Sequence, residues 1–158
     1  MEEHLKQVYK KMASYCAYQE RTHEQVRQRL EKLQILSDDA ELLISKLISD
    51  NYLNEERFAK TYVGGKFRVK RWGRKRILLE LKRRNLSEYS IRSGMREISE
   101  TDYKETLYKL AFKKNTDLSN KESNQAMIKK KLIFYLVQKG YEPELVWEIV
   151  GKLNSFKA

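Results

Sequence analysis

The sequence predicts an all-α protein of tandem three-helix repeats forming an elongated, curved body. Three observations lead there. Apolar residues recur at helical spacings of three and four along the chain. The segment from Val26 lies over the segment from Ile77 when shifted by 51 residues, and over the segment from Leu132 when shifted by 106. One proline and six glycines in 158 residues are too few for a turn-rich β protein.

The repeat is carried by an apolar skeleton. Val26, Ile77 and Leu132 coincide, and so do Leu30, Leu81 and Leu136. Gln34, Asn85 and Gly140 share the next boundary position, followed at once by Ile35, Leu86 and Tyr141. Ala40, Ile91 and Val146 then align, as do Ile44, Met95 and Val150, and finally Leu47, Ile98 and Leu153. Gly140 and Asn85 suit a helix C-terminus because both tolerate a left-handed backbone; Gln34 suits it less well.

Taken in order, the elements follow from spacing and caps. A leading helix over residues 4–18 has Leu5, Val8, Met12 and Tyr15 on one stripe, with Cys16 in register. Thr22 and Gln25 form a capping box for the next helix, as do Asp102 with Glu105 and Ser119 with Glu122 further on. Ser37 and Ser87 open second helices, and Pro143 fits the first turn of another. Longer third helices are expected near Asn54 to Val69 and Asp102 to Lys114. The expected division is an N-terminal helix over 1–20, repeat one over 21–70, repeat two over 71–118 and repeat three over 119–158. Each unit buries little alone, so the units must pack on one another.

Composition excludes several classes. The longest apolar run, Leu132 to Val137, is far too short to span a bilayer. The opening Met1-Glu2-Glu3-His4 has no basic n-region, so no secretory signal is expected. Cys16 is the one cysteine, which fits a reducing cytoplasm, and its place on the apolar stripe favours a small buried hydrophobe over a nucleophile. The two histidines, His4 and His23, lie far apart, and no CxxC, HExxH, GxSxG or dinucleotide fingerprint occurs. No enzyme activity, cofactor or metal site is expected.

Charge points to function. The chain carries +11, and residues 60–84 alone contribute +10, with eleven Lys or Arg against the single acid Glu80. Residues 1–59 sum to −2 and residues 85–158 to +3. Solubility does not require such concentration; a polyanion partner explains it, with a solvated basic face as the alternative. The candidate nucleic-acid contacts are Lys66, Arg68, Lys70, Arg71, Arg74, Lys75, Arg76, Lys82, Arg83 and Arg84. On a helical wheel Ile77, Leu78 and Leu81 cluster, while Lys75, Arg76, Lys82 and Arg83 take the opposite face. The equivalent places in the first copy hold Glu24, Gln25, Glu31 and Lys32. Leu79 sits amid the cations, for packing against a neighbouring unit or for a partner. Gly64 and Gly65 inside a helix each cost about 1 kcal/mol relative to Ala, so either close helix packing, a kink or the approach of a phosphate backbone should offset them. Trp72 and Phe67 interleave the cations, as core residues or as stacking platforms.

Two segments resemble a known family. Asn51-Tyr52-Leu53-Asn54-Glu55-Glu56-Arg57-Phe58-Ala59 resembles the GYLDDxRFA signature of RecX proteins, bacterial modulators of the RecA recombinase. Lys70-Arg71-Trp72-Gly73-Arg74-Lys75-Arg76-Ile77, with Leu81 and Asn85-Leu86 after it, is similar to that family's basic segment. Asn51 stands where the signature has Gly, and Asn54-Glu55 where it has an Asp pair. Read physically, Tyr52, Leu53, Phe58 and Ala59 form a core-facing cluster, with Arg57 and Glu55 paired to fix the turn. Those residues, with Trp72 and Gly73, serve either structure or docking. The resemblance implies a non-enzymatic regulator of recombination and DNA repair. It would bind the groove of the RecA–single-stranded DNA filament and suppress ATP hydrolysis and strand exchange. Implied partners are the RecA nucleoprotein filament and single-stranded DNA, with double-stranded DNA as a further candidate; a monomer without membrane contact is expected. The alternative is a nucleic-acid-binding helical module that acts without a recombinase, and a third reading is an enzyme acting on nucleic acid.

Overall fold

The computed structural model describes residues 1–155, with side chains through Leu153. Among these residues there are nine helices and no strand: α1 (Glu3–Tyr18), α2 (His23–Lys32), α3 (Ser37–Ser49), α4 (Glu55–Arg68), α5 (Arg74–Arg83), α6 (Glu88–Met95), α7 (Glu100–Ser119), α8 (Gln125–Gln138) and α9 (Pro143–Ser155). They gather into two compact units. The first comprises Met1–Tyr62 and Leu81–Gly94; the second comprises Val63–Glu80 and the chain from Met95 onward. Helices α4 and α5 therefore each contribute residues to both units.

Most of the repeat positions are core positions, although Ile35 and Leu86 are only half-buried. Val26, Ile77 and Leu132 are at most 1% exposed, and Leu30, Leu81 and Leu136 are fully buried. Ala40, Ile91, Val146, Ile44, Val150, Leu47, Ile98 and Leu153 are also buried, whereas Met95 is only half-buried. The boundary residues share one backbone state: Gln34 has φ 61°, Asn85 57° and Gly140 108°. Each donates its N–H to the carbonyl three residues back, at 2.9, 3.1 and 2.9 Å respectively. The repeat is thus a repeat of turn geometry as well as of apolar spacing.

Caps explain where the helices start and where expectation fails. Thr22 and Gln25 make the reciprocal capping box before α2. Ser87 accepts from Ser90 N–H before α6, and Pro143 opens α9. The other two expected boxes are displaced. Helix α7 begins earlier, because Ser99 accepts the N–H of Asp102 and leaves Asp102 inside the first turn. It also runs through Lys114 to Ser119, whose hydroxyl donates to the Asn115 carbonyl instead of capping a new helix. Asn124 caps α8 in its place.

In the first unit Leu5, Val8, Met12 and Cys16 of α1 pack with Val26, Leu30, Leu43, Ile44, Leu47 and Leu53. Burial pushes the Cys16 thiol up from its ordinary value, which suits an inert packing role. Leu53, Phe58 and Ala59 of the signature are buried as expected. Tyr52 is not; it is 39% exposed and sets its ring edge against Tyr9. Arg57 does not pair with Glu55. It reaches Glu20 at 2.5 Å and the Asn51 and Tyr52 carbonyls at 3.1 and 3.3 Å, so it ties the turn after α3 to the end of α1. Glu55 instead accepts the N–H of Ser87 and so caps α6. Gly94 of α6 lies so close to Ala59 that an added Cβ would stand 2.9 Å from its backbone. The signature thus supplies three apolar anchors, a cap and a carbonyl clamp.

The second unit is centred on Tyr103 and Tyr141, both fully buried, with ring centroids 5.1 Å apart. Both phenols are pushed well above their ordinary pKa, first by burial; for Tyr103 the hydrogen bond to Glu142 adds to it.

Candidate nucleic-acid interface

Ten cations were expected to form the interface, and the structure places them in three ways. The first group lies in the second unit around the turn from α4 to α5. Arg68, Lys70, Arg71, Lys75 and Arg76 are exposed there, and Lys66 is half-buried. Arg71 takes φ 58°, a left-handed conformation that the sequence did not signal. The turn is held by its carbonyls: Tyr141 hydroxyl donates to Arg71 O at 3.0 Å and Lys139 Nζ to Lys70 O at 3.1 Å. Lys139 was absent from the sequence-derived set. Its pKa is lowered, first by burial and then by the positive charges of Arg76, Arg71 and Lys70. That shift reports a crowded positive field: four cations from two distant segments share one neighbourhood. An incoming anion relieves the repulsion among them.

Arg74 belongs to a second class. Its guanidinium meets Glu142 at 2.8 Å and Glu100 at 2.9 Å, and lies 3.9 Å from the centroid of the Tyr103 ring. Burial alone would lower its pKa, but the hydrogen bond to Glu100 and the charge of Glu142 hold it above the ordinary value. The Tyr103 hydroxyl donates to Glu142 and accepts from the Arg74 N–H, which closes a network. Arg74 thus anchors the start of α5. Arg68 also has an internal partner, the Glu97 carboxylate at 3.5 Å.

The third group, Lys82, Arg83 and Arg84, lies in the first unit. Lys82 and Arg83 are exposed, while Arg84 is half-buried with its guanidinium 4.5 Å from the Tyr62 ring centroid. Leu79 on the same helix, within the second unit, is 49% exposed.

The aromatic residues also separate. Phe67 is 5% exposed and packs on Tyr103, so it is a core residue and not a stacking platform. Trp72 is half-buried between two cations, with Lys66 Nζ 4.8 Å and the Arg76 guanidinium 3.9 Å from its ring centroid. It orients the cations that flank it. Gly73 is needed for close approach: its N–H donates to Lys139 O at 2.8 Å, and an added Cβ would fall 2.2 Å from the Gly140 carbonyl carbon. Gly65 is different, being exposed with nothing within 4 Å of an added Cβ. At Gly64 an added Cβ would meet only the Arg68 side chain, 2.5 Å away. Helix packing therefore does not explain the glycine pair.

Among the described residues no group of three or more His, Cys, Asp or Glu is arranged to hold a metal ion, and no helix is long and apolar enough to cross a membrane.

Fold and site together define a class: tandem three-helix repeats with structural signature turns and a strongly basic middle. Comparison with known proteins agrees. Residues 54–95, which span α4 to α6, match the family model for the second three-helix domain of RecX. The regulatory protein RecX of Clostridium perfringens strain 13 is 31% identical over 135 residues, covering 85% of this chain and 63% of that protein. That of Bacillus cytotoxicus is 28% identical over 155 residues, covering 98% of this chain and 57% of that protein. The chain thus spans about three fifths of the length of these curated relatives. The crystal structure of RecX from Lactobacillus salivarius superposes with a TM-score of 0.84 at 23% identity, covering 95% of this chain and 96% of that one, a likeness of fold. The chain belongs to the RecX family.

Proposed function

We propose that this chain is a non-enzymatic regulator of homologous recombination that binds the RecA–single-stranded DNA filament and lowers its ATP hydrolysis and strand exchange. Family membership supports the regulatory reading. The observation that carries the DNA contact is the crowding of Lys70, Arg71, Arg76 and Lys139, which depresses the Lys139 pKa after burial has done so. Such a cluster positions a phosphate backbone without reading its sequence. Preference for a filament over naked DNA then has to come from protein contacts elsewhere. Large apolar side chains are available for that role on α8 and α9: Phe134 is 65% exposed and Trp147 55%. Two weak sets of contacts engaged together multiply in affinity.

The test is fluorescence anisotropy on labelled oligothymidylate, bare and coated with RecA. The expected result is tighter binding to the coated strand, and a selective loss on it when Phe134 and Trp147 are changed to Ala. Equal affinity for both substrates would instead favour a nucleic-acid module acting without the recombinase.

A further inference from the structure

The strongest feature outside the basic middle lies between α1 and α2 in the first unit. A groove of about 930 Å³ is lined by Lys10, Lys11, Tyr15, Tyr18, Arg21 and Arg29, with Met12, Ser14 and Leu33 completing the wall. It contains four cations and no acid. Among the described residues none of the four is paired with a carboxylate.

Summed charge hides this groove, because residues 1–59 total −2. Six of the eleven acids of that segment are committed elsewhere. Glu20 binds Arg57, Glu24 meets Gln28 and Asn85, Glu41 binds Arg27, and Asp50 is held by Tyr9 and Lys46. Glu55 caps α6, and Glu56 accepts from Ser93. Folding thus separates the signs within one nearly neutral segment.

The groove is also organised. Tyr15 is gripped by two guanidinium groups, Arg21 at 3.7 Å and Arg29 at 4.9 Å from its ring centroid. Arg21 is fixed further by its Nε–H donating to the Tyr15 carbonyl at 3.0 Å. One of its five N–H groups is used there, so the rest of its fork stays available to an anion. Beside these cations, at the end of α1, Tyr18 is 83% exposed. A large ring held in water beside unneutralised cations is the pairing that single-stranded nucleic acid uses: phosphates on the cations, a base on the ring.

We infer that this groove is a second binding site for single-stranded nucleic acid, separate from the basic turn between α4 and α5. Lys10, Lys11, Arg21 and Arg29 take phosphates, and Tyr18 stacks on a base. An acidic peptide would use the cations but leave Tyr18 idle.

The experiment uses the intact chain carrying Ala at Lys75, Arg76, Lys82 and Arg83, so that the basic middle contributes less of the DNA affinity and a change at the groove is easier to read. Anisotropy of labelled oligothymidylate is followed against salt. Adding Lys10→Ala, Lys11→Ala and Arg29→Ala, all exposed positions, should reduce the magnitude of the log-affinity against log-salt slope by about 2. Tyr18→Ala should weaken binding by about tenfold at fixed salt and leave the slope unchanged. In the otherwise unaltered chain, an oligonucleotide carrying 5-iodouracil should photo-crosslink to Tyr18, located by mass spectrometry. Circular dichroism melts confirm that each variant is folded. An unchanged slope with no Tyr18 crosslink overturns the inference. So does loss of poly-glutamate binding in the triple variant while oligothymidylate binding persists, which would assign the groove to acidic peptide.

Discussion

Gly73 and Gly140 cross backbone to backbone, so close that a methyl group on the first would fall 2.2 Å from the carbonyl carbon of the second. Two hydrogen bonds lock the crossing, Gly73 N–H to Lys139 O at 2.8 Å and Lys75 N–H to Gly140 O at 3.0 Å. This contact fastens the start of α5 to the turn between α8 and α9, and it carries Lys139 into the positive cluster. Gly73→Ala is therefore expected to destabilise the chain by about 3 kcal/mol, measured by urea denaturation, because no side chain can move aside to relieve a backbone clash. Gly65→Ala is the matched control: its Cβ meets open space, and the expected result is a gain of up to about 1 kcal/mol.

Arg71 holds a left-handed backbone at φ 58°, which costs a residue with a side chain about 1 kcal/mol. Arg71→Gly should raise stability by up to about that amount while weakening single-stranded DNA binding and reducing its salt slope by about 0.7. Melting temperature and anisotropy on the same variant separate the two effects. If stability rises and binding holds, Arg71 lies outside the interface.

Replacing Lys75, Arg76, Lys82 and Arg83 together with Ala should flatten the salt slope by up to about 3 and weaken binding to all sequences alike. All four side chains are exposed, so the melting temperature should move by no more than a degree or two. A salt slope left unchanged by the replacement would mean that these residues form only a solvated face.

Tyr103 and Tyr141 should make the second unit sensitive to alkali. Their pKa values are raised in the folded chain, chiefly by burial, so the folded state disfavours ionising them. The stability this contributes is fully present below pH 10, the ordinary phenol value, and is lost as pH rises beyond it. Denaturation midpoints should be flat through neutral pH and fall above 10. Tyr103→Phe should reduce that fall and cost about 1–3 kcal/mol at neutral pH, because Glu142 loses a donor and the Arg74 N–H its acceptor.

Much of this was readable along the chain, and the limits have physical causes. Spacing identified the core because each helix must bury one stripe: Val26, Ile77 and Leu132 were found that way. The Thr22 box was readable because both partners lie within one turn. Long-range pairing was not. Arg57 looked like the neighbour of Glu55, yet its partner is Glu20, 37 residues away. Arg74 counted as one more surface cation until Glu100 and Glu142 closed on it. Lys139 and the groove of Lys10, Lys11, Arg21 and Arg29 were missed for a related reason. Charge summed along a segment does not tell which side chains folding brings to one place. The structure also removes an obvious experiment. A cut after Asn115 would take away Gly140, Tyr141 and Glu142, the residues that hold the α4–α5 turn, so surface substitutions are the sound test of the third repeat.

The central claim is that the chain regulates a recombinase filament, and RecA ATP hydrolysis on single-stranded DNA tests it most directly. Titration with this chain, from substoichiometric to equimolar amounts, should progressively lower the steady-state rate. The quadruple Ala variant should require more protein to do so. A rate that stays constant across the titration, under conditions where the chain binds the same DNA in the absence of RecA, would contradict the account.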